Sequence, residues 1–215
     1  MVASILCGSR HHPVSDYALA WIKNKSLQGQ IFNIYYDQEE VASCHVLFVL
    51  SYGRILPRNF IERFEHVIIL HASDLPRGRG WSPHIWDVLN GEETIVVSAI
   101  TAAEHVDEGD IWAKQSFKIL STDTHIEINQ KLFEAEFALI DYVLYMIKSG
   151  ESPIHQPKTG VTYCPRRTPE DSRVELHNTL EEIFNLLRIS DPKRYPVFFY
   201  KDGVRFNLIL EKSYV

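Results

Sequence analysis

Short apolar runs punctuated by turn residues dominate the first two thirds of the chain. Residues 2–7, 31–36, 46–50, 67–70, 94–100 and 111–119 each read as a strand. The run Val46-Leu47-Phe48-Val49-Leu50 is apolar throughout, as expected of a parallel strand covered on both faces. Apolar positions at helical spacing fall between these runs, over residues 15–24 with Ser15 or Asp16 as cap, over 60–64 and over 82–89. The longest helical pattern covers 126–147, where Ile128, Leu132, Ala135, Leu139, Tyr142, Val143 and Met146 recur at three- and four-residue steps. Such alternation predicts an α/β, Rossmann-like core with a mostly parallel sheet. Gly, Ser and Pro cluster over 150–157 and predict a division into a core, residues 1–150, and a small C-terminal α+β unit, residues 151–215. In that unit residues 168–171 read as a loop and 180–187 as an amphipathic helix. Residues 197–200 and 204–210 read as a β-hairpin around Lys201-Asp202-Gly203.

Composition narrows the picture. The 215 residues, 45% hydrophobic and 23% charged, suffice for one sizeable core with a small appendage. A net charge of −6 disfavours a nucleic-acid partner, although local basic clusters can still hold phosphates. Cys7, Cys44 and Cys164 are odd in number, widely spaced and form no CxxC pair, so neither a zinc site nor a disulfide framework is expected. Ser9-Arg10-His11-His12 interrupts the first apolar run, and no run approaches the roughly 18 residues of a membrane span. A cytoplasmic protein without a membrane partner is expected.

Candidate chemistry concentrates in two stretches. His71 ends an apolar strand and opens the turn-rich, cationic loop Ala72-Ser73-Asp74-Leu75-Pro76-Arg77-Gly78-Arg79-Gly80-Trp81-Ser82-Pro83. In open α/β sheets ligands bind beyond the carboxyl ends of strands, and a His placed there can move protons near neutral pH. Glu104-His105-Val106-Asp107-Glu108-Gly109-Asp110-Ile111 forms an acidic turn; folding alone could bring Asp110 to His71. Arg77, Arg79, Arg166 and Arg167 are candidates for a diphosphate, or else solvated surface arginines. Trp81 could stack on a sugar or base, or pack in a core or interface. His11 and His12 follow the first strand and could reach a cleft. His84, His105, His125 and His155 lack ligand-like spacing, so no metal is expected. Gly8-Ser9-Arg10 lacks the GxGxxG of dinucleotide sites.

These residues also carry a resemblance. His71-Ala72-Ser73-Asp74-Leu75-Pro76 with Gly80 resembles the HxSxLPxxxG signature of the N10-formyltetrahydrofolate-dependent formyltransferases. Leu89-Asn90-Gly91-Glu92 is similar to the family's helix end. The resemblance implies His71 and Asp110 as catalytic residues. It implies a pterin pocket bordered by Tyr52-Gly53-Arg54-Ile55-Leu56-Pro57 and by Val106-Asp107-Glu108-Gly109. N10-formyltetrahydrofolate would be the co-substrate. It further implies substrate contacts from Arg77, Arg79, Gly80, Trp81, Ser82, Arg166 and Arg167.

Tyr163-Cys164-Pro165-Arg166-Arg167-Thr168-Pro169-Glu170-Asp171-Ser172, then Asn185-Leu186-Leu187-Arg188 and Pro196-Val197-Phe198-Phe199, is similar to the sugar-nucleotide N-formyltransferases, in particular a branch of pseudaminic-acid type. That branch implies a UDP- or dTDP-linked 4-amino-4,6-dideoxy sugar as acceptor, in bacterial surface glycan biosynthesis. A methionyl-tRNA-formylating enzyme is the alternative with the same chemistry, disfavoured by net charge and chain length. A non-catalytic folate- or sugar-binding relative is another. One position departs from the family: it carries Asn two residues before the His, where its amide helps hold the formyl oxygen, and here that residue is Ile69. The C-terminal hairpin could pair two copies into a homodimer.

Overall fold

The computed structural model describes residues 2–213. In chain order the elements are β1 (Ala3–Cys7), α1 (Pro13–Leu27), β2 (Phe32–Tyr35), β3 (Val46–Leu50), α2 (Arg58–Ile61), β4 (His66–His71), β5 (Arg79–Gly80), α3 (Pro83–Leu89), β6 (Thr94–Thr101), β7 (Ile111–Lys118), α4 (His125–Lys148), β8 (Tyr163–Cys164), α5 (Leu180–Ile189), β9 (Val197–Lys201) and β10 (Val204–Leu208). Six strands form one sheet in the order β2-β1-β3-β4-β6-β7. The first four are parallel; β6 runs antiparallel to β4, and β7 antiparallel to β6. The sheet is therefore the mostly parallel α/β core expected.

β1 and β3 are buried at every position because helices cover both faces. One face packs Ile5, Val46, Phe48 and Leu70 against Val14 and Ala18 of α1 and Phe133, Phe137 and Ile140 of α4. The other face packs Leu6, Leu47, Val49 and Val67 against Phe60 of α2 and Phe64 just beyond it.

The helices start where capping chemistry dictates. α1 begins earlier than expected: His12 is its cap, its Nδ1 accepting from the Val14 N–H at 3.2 Å, and Pro13 takes the first turn, where its missing N–H costs nothing. His12 thus serves the helix start and is half-buried. α4 opens on a reciprocal capping box between Thr124 and Glu127, and α5 on one between Thr179 and Glu182. Residues 169–172, expected as loop, wind into a single 3₁₀ turn for the same reason, with Thr168 and Asp171 as the box. The hairpin turn has φ of +51° at Asp202 and +79° at Gly203, the left-handed pair that a two-residue hairpin loop needs.

Residues beyond 150 fold back onto the core. Ile154 exchanges two backbone hydrogen bonds with Ile111, at 2.8 and 2.9 Å, and β8 pairs with β5. α5 inserts Ile189 among Val88, Ile95, Ile119 and Ile128, and its buried Arg188 donates to the Leu120 and Asp123 carbonyls. Val174, Ile183, Leu187 and Val197 form a smaller cluster under the hairpin. No helix among the described residues is long and apolar enough to cross a membrane.

Candidate functional site

His71 is the last residue of β4, 8% exposed. Its Nε2 lies 2.8 Å from the Gly78 carbonyl oxygen and its Nδ1 lies 3.5 Å from Oδ1 of Asp107. The ring therefore sits between two acceptors. A neutral imidazole has one N–H and can serve one of them; the second N–H exists only in the imidazolium. The Asp107 carboxylate is itself buried, and its other oxygen accepts from the Gly80 N–H at 2.8 Å. His71 and Asp107 thus form an enclosed pair that can hold and return a proton.

This pairing corrects one expectation. Asp110, which the acidic motif pointed to, does not face His71. Its Oδ1 lies 2.8 Å from Nδ1 of the exposed His155, and its backbone closes onto Thr101. The loop's geometry makes the choice. Asp107 adopts φ +59°, which swings its side chain inward toward His71. Gly109 passes so close to the Thr101 carbonyl that a Cβ there would lie 1.6 Å from its oxygen. Only glycine permits that approach.

A second correction concerns Arg79. It is 6% exposed, and its guanidinium is shared among Glu108, Gln156 and, at 3.5 Å, the Tyr163 hydroxyl. With its donors committed to these partners, it is not available to a diphosphate. Gly80, with φ +100°, runs against the Cys164 carbonyl, and its N–H is taken by Asp107, so it also faces inward. Arg167 donates to the Asp171 carbonyl at 2.8 Å and lies within 3.4 Å of the Ser172 hydroxyl, and burial pushes its pKa down; it braces the 3₁₀ turn.

Arg77 and Arg166 are exposed. Arg166 lies over the Trp81 ring at 4.6 Å, and Trp81 approaches Gly53 from the other loop. Ser82, exposed with φ +46°, precedes α3. Trp81, Arg166, Arg77 and Ser82 thus lie on solvent-facing backbone beside the His71 loop.

The loop 52–57 packs its apolar side chains onto the core beside β4. Tyr52, Leu56 and Ile69 all pack against the cluster of Leu6, Val49, Val67 and Ala102, while Ile55 is exposed. Tyr52 is fixed by contacts of its hydroxyl with Gln38, and Arg54 pairs with Asp37 at 2.8 Å. Ile69 also touches the cluster of Leu75, Ile100 and Ile111, so its side chain presents an apolar surface there. Gly53 and Pro57 are exposed. Val106 and Glu108 of the acidic loop are exposed, and Glu108 is engaged by Arg79.

The sequence reading missed several participants. Gln156 and Thr162 come from the segment after α4, and no spacing links them to His71. His84, on α3, lies close enough to His12 and His71 to feel both; burial, chiefly, lowers its pKa to about 4, so it stays neutral, and its Nδ1 has no partner. Among the described residues no cluster of three His, Cys, Asp or Glu is placed to hold a metal.

Residues 11–144 match the family model described as formyl transferase. A methionyl-tRNA formyltransferase of Thermodesulfovibrio yellowstonii is 33% identical over 157 residues, 72% of this chain and 50% of that protein. The chain thus spans about half the length of that relative. Among solved structures, HypX from Aquifex aeolicus in complex with tetrahydrofolic acid superposes with a TM-score of 0.81 at 16% identity, covering 97% of this chain and 37% of that one. A likely sugar N-formyltransferase, Rv3404c of Mycobacterium tuberculosis, superposes with a TM-score of 0.72 at 19% identity, covering 100% of this chain and 99% of that one.

Proposed function

Because this chain belongs to the formyl transferase family, we propose that it moves a formyl group from N10-formyltetrahydrofolate to an amine, with His71 and Asp107 handling the protons. One observation carries the reading: a buried His–carboxylate pair closes the end of β4 beside the apolar 52–57 loop. The apolar side chains of Tyr52, Leu56 and Ile69, with exposed backbone at Gly53, are the surface we assign to a flat heterocycle. Support also comes from the tetrahydrofolate complex of the structurally similar HypX.

The reaction needs an amine that loses a proton as it adds to the formyl carbon, a place for charge developing on the formyl oxygen, and a proton for the departing N10. In this reading the amine displaces the Gly78 carbonyl from Nε2 of His71, which accepts the amine's proton and returns it to the leaving nitrogen. Asp107 holds the ring's orientation.

For the acceptor we favour the amine of a nucleotide-linked 4-amino-4,6-dideoxy sugar, UDP- or dTDP-linked. Trp81 offers a stacking face, and Arg166 and Arg77 offer charge for a diphosphate. Rv3404c supports the same class. Methionyl-tRNA is the second reading, favoured by the T. yellowstonii relative. The test is direct: mix the protein with N10-formyltetrahydrofolate and each acceptor and follow tetrahydrofolate release. Release with a 4-amino nucleotide-sugar bears out the reading; release with methionyl-tRNA alone replaces it; none with any amine sinks the enzymatic proposal. We also propose that the hairpin pairs two copies, since Val204, Phe206 and Ile209 lie exposed on and just beyond β10; a monomeric mass in light scattering would remove that idea.

A further inference from the structure

We infer that Gln156, outside the segment matched by the family model, is a positioning residue that holds the Asp107 carboxylate against His71. The inference rests on the formyl-transfer reading for its kinetic consequence, but not for its geometry.

Gln156 spends its whole amide on the site. Its Nε2 donates to the Asp107 carbonyl at 3.0 Å and to the Gly109 carbonyl at 3.1 Å. Its Oε1 accepts from Nε of Arg79 at 3.1 Å and from Nη2 of the same guanidinium. The orientation is unambiguous, because Arg carries only donors and the two carbonyls only accept. Each atom of the amide therefore reads a different strand of the site: oxygen toward the His71 loop, nitrogen toward the acidic loop.

Asp107 needs such a hold. Its φ of +59° lies in the left-handed region, which Asp enters more readily than most residues with a Cβ but at a cost. Gln156 pins the peptide on the carbonyl side of that residue, and the Gly80 N–H pins its carboxylate. Arg79, held by Gln156, also grips Glu108 next to Asp107.

Gln156 is in turn fixed from both sides. Ile154 is bonded to Ile111, and Thr162 accepts from the Arg79 N–H at 2.9 Å and, through its hydroxyl, from the Gly78 N–H at 2.8 Å. Gly78 supplies the carbonyl on the other side of the His71 ring. The strap of residues 154–164 therefore fixes both partners of His71, one through Thr162 and the other through Gln156.

The test compares wild type, Gln156→Ala and Gln156→Glu. Gln156→Glu keeps the acceptor facing Arg79 but sets a carboxylate oxygen against two carbonyls. Formyl transfer is measured with an acceptor that wild type uses, alongside hydrogen–deuterium exchange of residues 104–111 and thermal unfolding. The expected result is faster exchange in that loop and a kcat lowered by about tenfold or more, since a misplacement near 1 Å can cost about a hundredfold. KM for the formyl donor and the unfolding temperature should stay near wild type. Unchanged exchange, or faster exchange with unchanged kcat, overturns the inference. Parallel collapse of kcat, KM and unfolding temperature also overturns it, because that is loss of structure. If wild type itself transfers no formyl group, the functional reading falls, and the loop-holding role is then decided by exchange alone.

Discussion

His71 has acceptors on both ring nitrogens, and only one of them is ionisable. Replacing Asp107 therefore removes the carboxylate that orients the ring. His71→Ala and Asp107→Asn should each lower the formyl-transfer rate by at least about a hundredfold, the scale of losing a group that acts in the transition state. Asp110→Asn should stay within about threefold of wild type, because its partner is the solvent-exposed His155. A severe loss in Asp110→Asn with a near-normal Asp107→Asn would reverse the assignment. Ile69→Asn asks a separate question. An amide two residues before His71 on the same strand face would add a donor near the formyl oxygen, and the rate should rise by about tenfold or more. The variant should also melt lower, since Ile69 packs on Leu75, Ile100 and Ile111. A folded variant with a lower rate would show that the apolar surface matters more than the donor. The sequence named His71 correctly as the end of a buried strand. It could not choose among the carboxylates of Asp107, Glu108 and Asp110, because the choice depends on one positive φ and on the approach of Gly109 to Thr101.

The long helix α4 shows what periodicity does and does not carry. Its apolar stripe was legible from Ile128 to Met146, and its ends were off by a residue at each side because caps, not the stripe, set them. The stripe also hides a polar residue. Glu136 lies on the buried face, 3% exposed, and its Oε2 has no partner. Burial alone raises its pKa from 4.5 to about 8, and it in turn adds to the upward shift of the buried Cys7 thiol. Near neutral pH Glu136 is a neutral acid in the folded protein and a carboxylate in the unfolded chain. The sign follows: the folded state binds the extra proton, so the stability from this group is full below about pH 4.5 and is lost progressively as pH rises to about 8. The loss is on the order of a few kcal/mol. Glu136→Gln should remove it. Urea unfolding at pH 5 and pH 8.5 should show a smaller decline in the variant than in wild type, with the variant the more stable at pH 8.5. Parallel declines in the two proteins would mean that Glu136 is ionised in the core.

At the scale of the whole molecule, the alternation of strands and helices fixed the class of fold, but not the reversal of β6 against β4, because a largely apolar run such as residues 95–100 fits either strand direction. Nor did the Gly- and Pro-rich stretch at 150–157 foretell that the following residues would complete the site, since that depends on pairing between segments about eighty residues apart. Charge is the property that separates the two acceptors. The chain carries −6 overall, and of the four arginines expected at phosphates, Arg79 and Arg167 are committed to internal partners. Arg77 and Arg166 remain exposed, Arg166 over the Trp81 ring. A polynucleotide held through six to ten phosphates loses about 10³ to 10⁵ in affinity between 50 and 200 mM salt. A nucleotide-sugar held through two arginines has far fewer counterions to release. The KM for the preferred acceptor should therefore rise by less than about tenfold over that salt range. Arg166→Ala should raise it further while leaving kcat near wild type, as loss of uniform binding does. A steep salt dependence, with uncharged tRNA as an effective competitor, would move the acceptor assignment to methionyl-tRNA and require a basic surface other than the Arg77 and Arg166 pair.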